Sequence, residues 1–261
     1  MKFSTLLTFI FLFLIGSIAF SQTEEWNQTN EKGEKVGQWR DFYKNAKLRF
    51  TGQFKNGKPF GEFKNYYKDG KLQAKLTYIT PEKAYAELYY QTGEILAKGY
   101  YFNQQRDSVW TTYGAKGRVV SKGGYLGGKK FGKWFTYFPN GQIAEEVYYE
   151  NDIENGEYKS YFDNGNLKQS ATYVNGTMEG LSIHYDPKGI KTLMGKYYRG
   201  ARDGDWVYYD EKGNWNKIIK YDKGRRLTEE GELLEDDSEM YKDNRKDYLE
   251  FEDLRDGIRY E

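Results

Sequence analysis

Apolar and polar residues alternate along this chain in short bursts, and the bursts repeat. In "KLQAKLTY", Leu72, Ala74, Leu76 and Tyr78 share one side, and Lys71, Gln73, Lys75 and Thr77 share the other. That period of two marks a half-buried strand. Blocks aligned on this pattern begin at Gly37, Gly61, Ala84, Ser108, Gly132, Gly156, Gly180 and Gly204, with six intervals of 24 residues and one of 23. The sixth position of every block is aromatic, from Phe42 and Tyr66 to Tyr209, and so is the eighteenth, from Phe54 and Tyr78 to Tyr221. A fixed period of this length belongs to an array of supersecondary units.

Two turn signals punctuate each block. Asp69-Gly70, Asn140-Gly141 and Asn164-Gly165 form one set, and Asn56-Gly57, Gly127-Gly128 and Asn175-Gly176 form a second set midway between them. Both sets suit type I′ hairpin turns, whose two central residues need positive φ. Between turns lie runs rich in Tyr, Phe, Trp, Val and Thr, so each block reads as two antiparallel strands. In the first strand of a block, rings stand third, sixth and often seventh, as in Phe63, Tyr66 and Tyr67. Either rings sit on both faces there or a bulge intervenes. In the second strand, glycine or alanine often holds the third apolar slot, as at Gly52, Gly99, Gly123, Ala171 and Gly195. Glycine at such a slot lets a neighbouring ring lie against backbone.

One hairpin cannot bury its own apolar face, but a row of them supplies mutual cover. The expected fold is all-β: an elongated single-layer antiparallel meander of about eight 24-residue hairpins, roughly sixteen strands and roughly 75 Å long at about 4.8 Å per strand. Residues 37–227 carry the repeats, 22–36 form a lead-in, and 228–261 form a short helical or irregular tail. The two sheet ends are open edges that call for caps, and the tail is one source of cap material.

Composition sharpens this picture. Outside residues 1–21 there are 43 Phe, Tyr and Trp against 30 Ile, Leu and Val. An enclosed core is normally aliphatic. Aromatic rings bury much area and tolerate one wet edge, which suits a sheet never fully enclosed. The net charge of +1 conceals an asymmetry: Thr228 to Glu261 holds 14 acidic and 5 basic residues, a net of −9. The N-terminus, "MKFSTLLTFIFLFLIGSIAFSQ", has one lysine, an apolar run and small residues at Ala19 and Ser21. It reads as a signal peptide, residues 1–21, cleaved before Gln22, with an uncleaved anchor as the alternative. The chain has no cysteine, so neither a lipidated Cys nor a disulfide framework is available. The expectation is an exported monomer, periplasmic, in the cell envelope or secreted.

The stretch from Phe50 to Tyr66, F-x-G-x-F-K-N-G-K-x-x-G-x-F-x-x-Y, resembles the MORN repeat. The unit G-x-W-x-x-Y-[YF]-x-x-G-x-[LI] is more similar still to the bacterial variant of antitoxin-component YwqK type. The resemblance covers Gly37 to Leu227. It implies arrays of β-hairpins used for protein contacts, scaffolding or membrane apposition, and for the antitoxin variant it implies a partner toxin. Ala84, Ala86, Ser108 and Ser182 depart from the pattern's glycine or aromatic.

Candidate chemistry is sparse. His184 is the single histidine, so neither a catalytic triad nor a multi-histidine metal site can be assembled around it. Gly123, Gly128 and Lys129 match G-x-x-x-x-G-K, but Lys130 stands where that phosphate loop needs Ser or Thr, and a strand follows where it needs a helix. The acidic turn at Glu150 to Glu157 has no calcium-loop spacing. No cofactor, metal or nucleic-acid partner is expected of a nearly neutral exported chain.

The third position carries a ring in six of eight blocks: Trp39, Phe63, Trp110, Trp134, Tyr158 and Trp206. These rings are either the cover between neighbouring repeats or an exposed stripe that binds a protein, peptide or glycan. Interleaved Lys64, Lys133 and Lys159 would add affinity for anionic groups. Tyr137 and Tyr161 are expected to bridge repeats. The functional expectation is a non-enzymatic protein-binding or scaffold module. A membrane-anchored envelope element contacting lipid or glycan is the alternative, and a glycan-acting enzyme a more distant one.

Overall fold

In the computed structural model, residues 25–227 are described; the signal-peptide and tail assignments fall outside them. These described residues form 19 antiparallel strands in one open sheet. Eight hairpins follow one another: β2 (Lys35–Phe42) with β3 (Leu48–Lys55), β4 (Lys58–Tyr66) with β5 (Leu72–Tyr78), β6 (Lys83–Tyr89) with β7 (Ile95–Phe102), and β8 (Gln105–Tyr113) with β9 (Val119–Leu126). Next come β10 (Lys129–Tyr137) with β11 (Ile143–Glu150), then β12 (Ile153–Tyr161) with β13 (Leu167–Val174). A split strand, β14 (Thr177–Met178) and β15 (Gly180–Tyr185), pairs with β16 (Lys191–Tyr198), and β17 (Ala201–Tyr209) pairs with β18 (Trp215–Asp222). The second strand of each hairpin also pairs with the first strand of the one that follows, as β3 does with β4 and β16 with β17, so the hairpins are joined into a continuous meander. Two-residue strands, β1 (Gln28–Thr29) and β19 (Arg225–Arg226), lie at the edges. They cover only part of their neighbours: Gln28 and Thr29 pair with Val36 and Lys35, and Arg225 and Arg226 with Asp222 and Tyr221.

The two turn sets differ. Asn56-Gly57, Gly127-Gly128 and Asn175-Gly176 hold positive φ at both residues, as type I′ turns require. In the other set only the glycine does so: Gly70, Gly141 and Gly165 are left-handed, whereas Asp69, Asn140 and Asn164 are not. This corrects the type I′ expectation for that set. Gly141 N–H bonds the Phe138 carbonyl and Phe138 N–H bonds the Gln142 carbonyl, each at 2.8 Å. That is a turn closed by one left-handed residue, followed by a one-residue register shift at Thr136/Tyr137. The side chain of Asn140 accepts the Gln142 N–H instead of bending its own backbone.

The glycine that opens most blocks creates a second irregularity. Thr51 faces Lys64 but Gln53 faces Phe60, so two extra residues of β4 bulge outward around Gly61, whose φ is +67°. The single 23-residue interval has its cause here. β5 and β6 pair without interruption from Ala74↔Leu88 to Tyr78↔Ala84, so this bulge is missing and Ala84 needs no positive φ. The connecting loop is one residue longer, which leaves a net loss of one.

The first strands carry rings on both faces, as one of the two sequence readings held. The third-position side turns inward: Phe63, Trp110, Trp134 and Trp206 are buried there with Ala74, Leu76, Ala86 and Ala97. The sixth-position side turns outward, where Tyr161 donates a 2.8 Å hydrogen bond to Glu146. Inner rings interlock edge to face along the sheet, at centroid separations of 5.2 Å for Phe54–Phe63, 5.0 Å for Phe63–Tyr78 and 5.1 Å for Tyr125–Trp134. Such pairs add about 0.5–1.5 kcal/mol each beyond burial. Hydroxyls tie the turns: Tyr43, Tyr67 and Tyr90 donate to the carbonyls of Tyr66, Tyr89 and Tyr113, one block on, at 2.6, 2.7 and 3.0 Å.

Candidate functional site

The third-position row does not form an exposed stripe. Trp110 is 2 % exposed, Trp206 0 %, Phe63 6 % and Trp134 8 %, while Trp39 and Tyr158 are half-buried. Each buried ring lies on a glycine of the preceding hairpin: Phe63 on Gly52, Trp110 on Gly99, Trp134 on Gly123 and Trp206 on Gly195. A Cβ at any of these glycines would overlap the ring. The indole N–H groups are satisfied by backbone, with Trp110 bonding the Tyr100 carbonyl and Trp134 the Gly124 carbonyl at 2.9 Å, and Trp206 the Lys196 carbonyl at 3.1 Å.

A cation closes the exposed side of every tryptophan in this row. Lys35, Arg106, Lys130 and Arg202, each four residues before its tryptophan, sit 4.5, 4.5, 5.0 and 4.2 Å from the ring centroids of Trp39, Trp110, Trp134 and Trp206. Each also reaches the ring at the eighteenth position of its block, as Arg202 does Tyr221 at 5.4 Å. The i, i+4 spacing of Lys/Arg and Trp was visible in the sequence, yet the lysines singled out there are others. Lys64, Lys133 and Lys159 turn outward and pair with Glu62, Glu146 and Glu157 at 2.7, 3.2 and 3.7 Å. Burial pushes Glu146 up, but bonds from Tyr161 and Lys133 outweigh it and hold its carboxyl below the ordinary value.

Two blocks lack the ring. In the seventh, Ser182 is wholly buried and its hydroxyl meets Gln169 at 3.1 Å and His184 Nε2 at 3.4 Å. The imidazole fills space toward Trp206, 6.4 Å away between centroids. Burial, reinforced by Arg202 and Lys168, pushes His184 down to about 4, so it is neutral at pH 7. In the third block Ala86 replaces the ring, and a cavity of about 180 Å³ opens beside it, lined by Leu76, Tyr78, Glu82, Ala84 and Tyr101 among others. A wider groove of about 570 Å³ lies between Tyr113 and Tyr137, with Arg118 and Lys122 on its wall. Among the described residues no group of three or more His, Asp or Glu is placed to hold a metal ion. Gly127-Gly128 is a hairpin turn between β9 and β10, and Gly123 is the seat of Trp134, so this G-x-x-x-x-G-K forms no loop before a helix.

The outer face holds a row that sequence reasoning missed. Ile79, Phe102, Leu126, Val174 and Tyr198, each one residue past the eighteenth-position aromatic, are 60, 48, 60, 42 and 41 % exposed. Exposed Phe60, Val109, Phe131, Tyr148, Ile153 and Leu181 lie on the same face of the neighbouring strands. The signal was the 24-residue periodicity itself, read one position further along.

Three segments, residues 61–79, 132–151 and 154–175, match the family model for the MORN repeat variant. They coincide with the second, fifth and sixth hairpins. No curated protein matches the chain. A crystal structure of TcdB2-TccC3-Cdc42 is similar at 12 % identity and a TM-score of 0.17, over 76 % of this chain and 13 % of that one. Alternansucrase ASR in complex with isomaltononaose is similar at 16 % identity and a TM-score of 0.20, over 78 % of this chain and 17 % of that one. This chain thus spans under a fifth of either.

Proposed function

We propose that this chain is an exported, non-enzymatic repeat module that docks another protein along its outer face. MORN-type hairpins in three of its blocks are consistent with a protein-interaction module. The observation that carries the reading is the outer apolar row from Ile79 to Tyr198, repeated at the pitch of the hairpins with Glu150 as its one interruption. Exposed apolar side chains in register along a surface mark an interaction site. Repetition spreads modest contacts along a line instead of concentrating them on one reactive centre. The inner aromatic row serves stability, since its rings face glycine backbone, neighbouring rings and cations.

The module acts as a monomer, and its antitoxin-like version would neutralise a partner before export. A photo-crosslinking residue placed at Leu126 or Val174 in cells tests the docking face. Crosslinks to one partner at both positions, absent when the crosslinker replaces the inward Ala97, support the reading. No crosslink along the outer row, or sedimentation as a dimer that the double variant Leu126→Asp/Val174→Asp dissolves, overturns it. Mass spectrometry that finds Gln22 as the first residue supports export with cleavage, and an intact Met1 favours the anchored alternative.

A further inference from the structure

We infer that the ring-less third hairpin is a socket for the arginine side chain of a partner polypeptide, on the face opposite the apolar row. Tyr78 pairs directly with Ala84, and Ala84 pairs directly with Tyr101, so the three stand abreast on neighbouring strands. Two strand spacings separate the tyrosine backbones, about 9.6 Å. Between them Ala84 presents a single methyl, and Ala86, two residues on, has no ring to fill the gap. The cavity of about 180 Å³ is walled by these tyrosines with Leu76, Pro59 and Pro81. One planar group slides into such a slot.

The charge of the slot is inverted relative to the four tryptophan-bearing hairpins of the same molecule. Where a tryptophan is present, the residue four before it is Lys35, Arg106, Lys130 or Arg202, and the cation covers two rings. Four residues before Ala86 stands Glu82, which lines the cavity and is its one charged lining residue. Lys83 next to it goes to the outer face, 5.1 Å from the Tyr100 ring. The third hairpin therefore keeps the ring walls, lacks the internal cation and supplies a carboxylate. A guanidinium is flat, always charged and stacks on aromatic faces, and Arg202 and Arg106 show the geometry at 4.2 and 4.5 Å from their indoles. An ammonium would find the same charge and can lie over a ring, as Lys35 and Lys130 do, but it has no plane to stack against the walls.

The rim is held in shape at some cost. Asn103 and Gln104 turn with φ of +47° and +64°, without a glycine at either position, and both line the cavity. Both belong to the two-residue hairpin turn between β7 and β8, which Asn151-Asp152 repeats between β11 and β12 without glycine. Asn103 N–H bonds the Glu82 carbonyl at 2.8 Å and so ties the two rim loops together.

The inference rests on the docking reading only for the source of the arginine, and its test stands apart from the crosslinking one. N-acetyl-arginine amide is titrated into the full-length protein while the ring protons of Tyr78 and Tyr101 are followed by NMR. Saturable shifts at both rings at millimolar concentration are expected. The neutral isostere N-acetyl-citrulline amide should bind at least about tenfold more weakly, a loss of about 1.4 kcal/mol. Glu82→Gln, on an exposed loop, should weaken arginine binding similarly while melting at the same temperature. Equal binding of arginine and citrulline, wild-type affinity in Glu82→Gln, or no shift at either tyrosine would each sink the socket. If N-acetyl-lysine amide bound as tightly as arginine, the flat-wall argument would fail.

Discussion

The indole of Trp206 rests on the backbone of Gly195, and a methyl group on that glycine would occupy the same space as the ring. Trp110 on Gly99 and Trp134 on Gly123 repeat the arrangement. Where glycine is absent from the slot, the ring changes with it. Leu76 stands across from Ala86, and Val147 across from the smaller ring of Tyr158. A large side chain on one hairpin thus meets a small one on the next at these seams, and beside Ala86 the exchange leaves a cavity.

Gly195→Ala is accordingly expected to cost about 1–3 kcal/mol, because the indole can move only by leaving Tyr197, Tyr221 and Arg202. Urea denaturation of the two proteins measures this. A midpoint equal to wild type would show that Trp206 is free to shift.

Two positions should gain from glycine. Ala46 and Ser108 hold φ of +62° and +57°, where most other blocks place glycine. Left-handed backbone costs an ordinary residue about 1–2 kcal/mol, part of which glycine returns as entropy of the unfolded chain. Ala46→Gly and Ser108→Gly should each raise stability by about 0.5–1 kcal/mol. A drop in melting temperature for either would contradict the strain argument.

His184 predicts an acid limb. Its pKa falls from 6.5 to about 4 on folding. Below pH 6.5 the unfolded chain takes up a proton that the folded chain refuses, so stability declines as pH falls, until folded His184 also protonates near pH 4. The decline is on the order of 2–3 kcal/mol. His184→Gln should flatten this part of the profile, measured as the difference in urea midpoint between pH 7 and pH 4.5. A slope unchanged in that variant would place the acid sensitivity elsewhere.

Tyr67→Phe removes the hydroxyl that spans to Tyr89 O and keeps the ring. A loss of about 1 kcal/mol is expected. Tyr161→Phe, which strips Glu146 of one donor, should shift the carboxyl of Glu146 upward, visible in its NMR titration.

Much of this molecule is legible in its sequence because a strand's period of two and a turn's need for positive φ are local demands. The hairpins, their number, the type I′ turns at Asn56-Gly57 and Asn175-Gly176 and the bulk of the aromatic rows follow from them. The other turn set was misread because Asn-Gly serves both a two-residue loop and a loop closed by a single left-handed glycine. The third-position rings could be located but not assigned to a face, since exposure depends on the preceding hairpin's glycine, 11 residues before the ring in the Gly52–Phe63 and Gly195–Trp206 seams. The cations were misassigned for the same reason: Lys130 and Lys133 both flank Trp134 in sequence, and only the bulge at Gly132 shows which one turns inward.

By itself the sequence determined a periodic, cysteine-free ribbon of hairpins, because its period, turn residues and alternation are properties of one strand or turn at a time. The tertiary structure alone decided which rings are sealed against backbone and which apolar residues stay in water, and it alone opened a slot at the hairpin where ring and cation are both replaced. Those outcomes depend on how two neighbouring hairpins share the volume of one seam, a quantity no single strand contains.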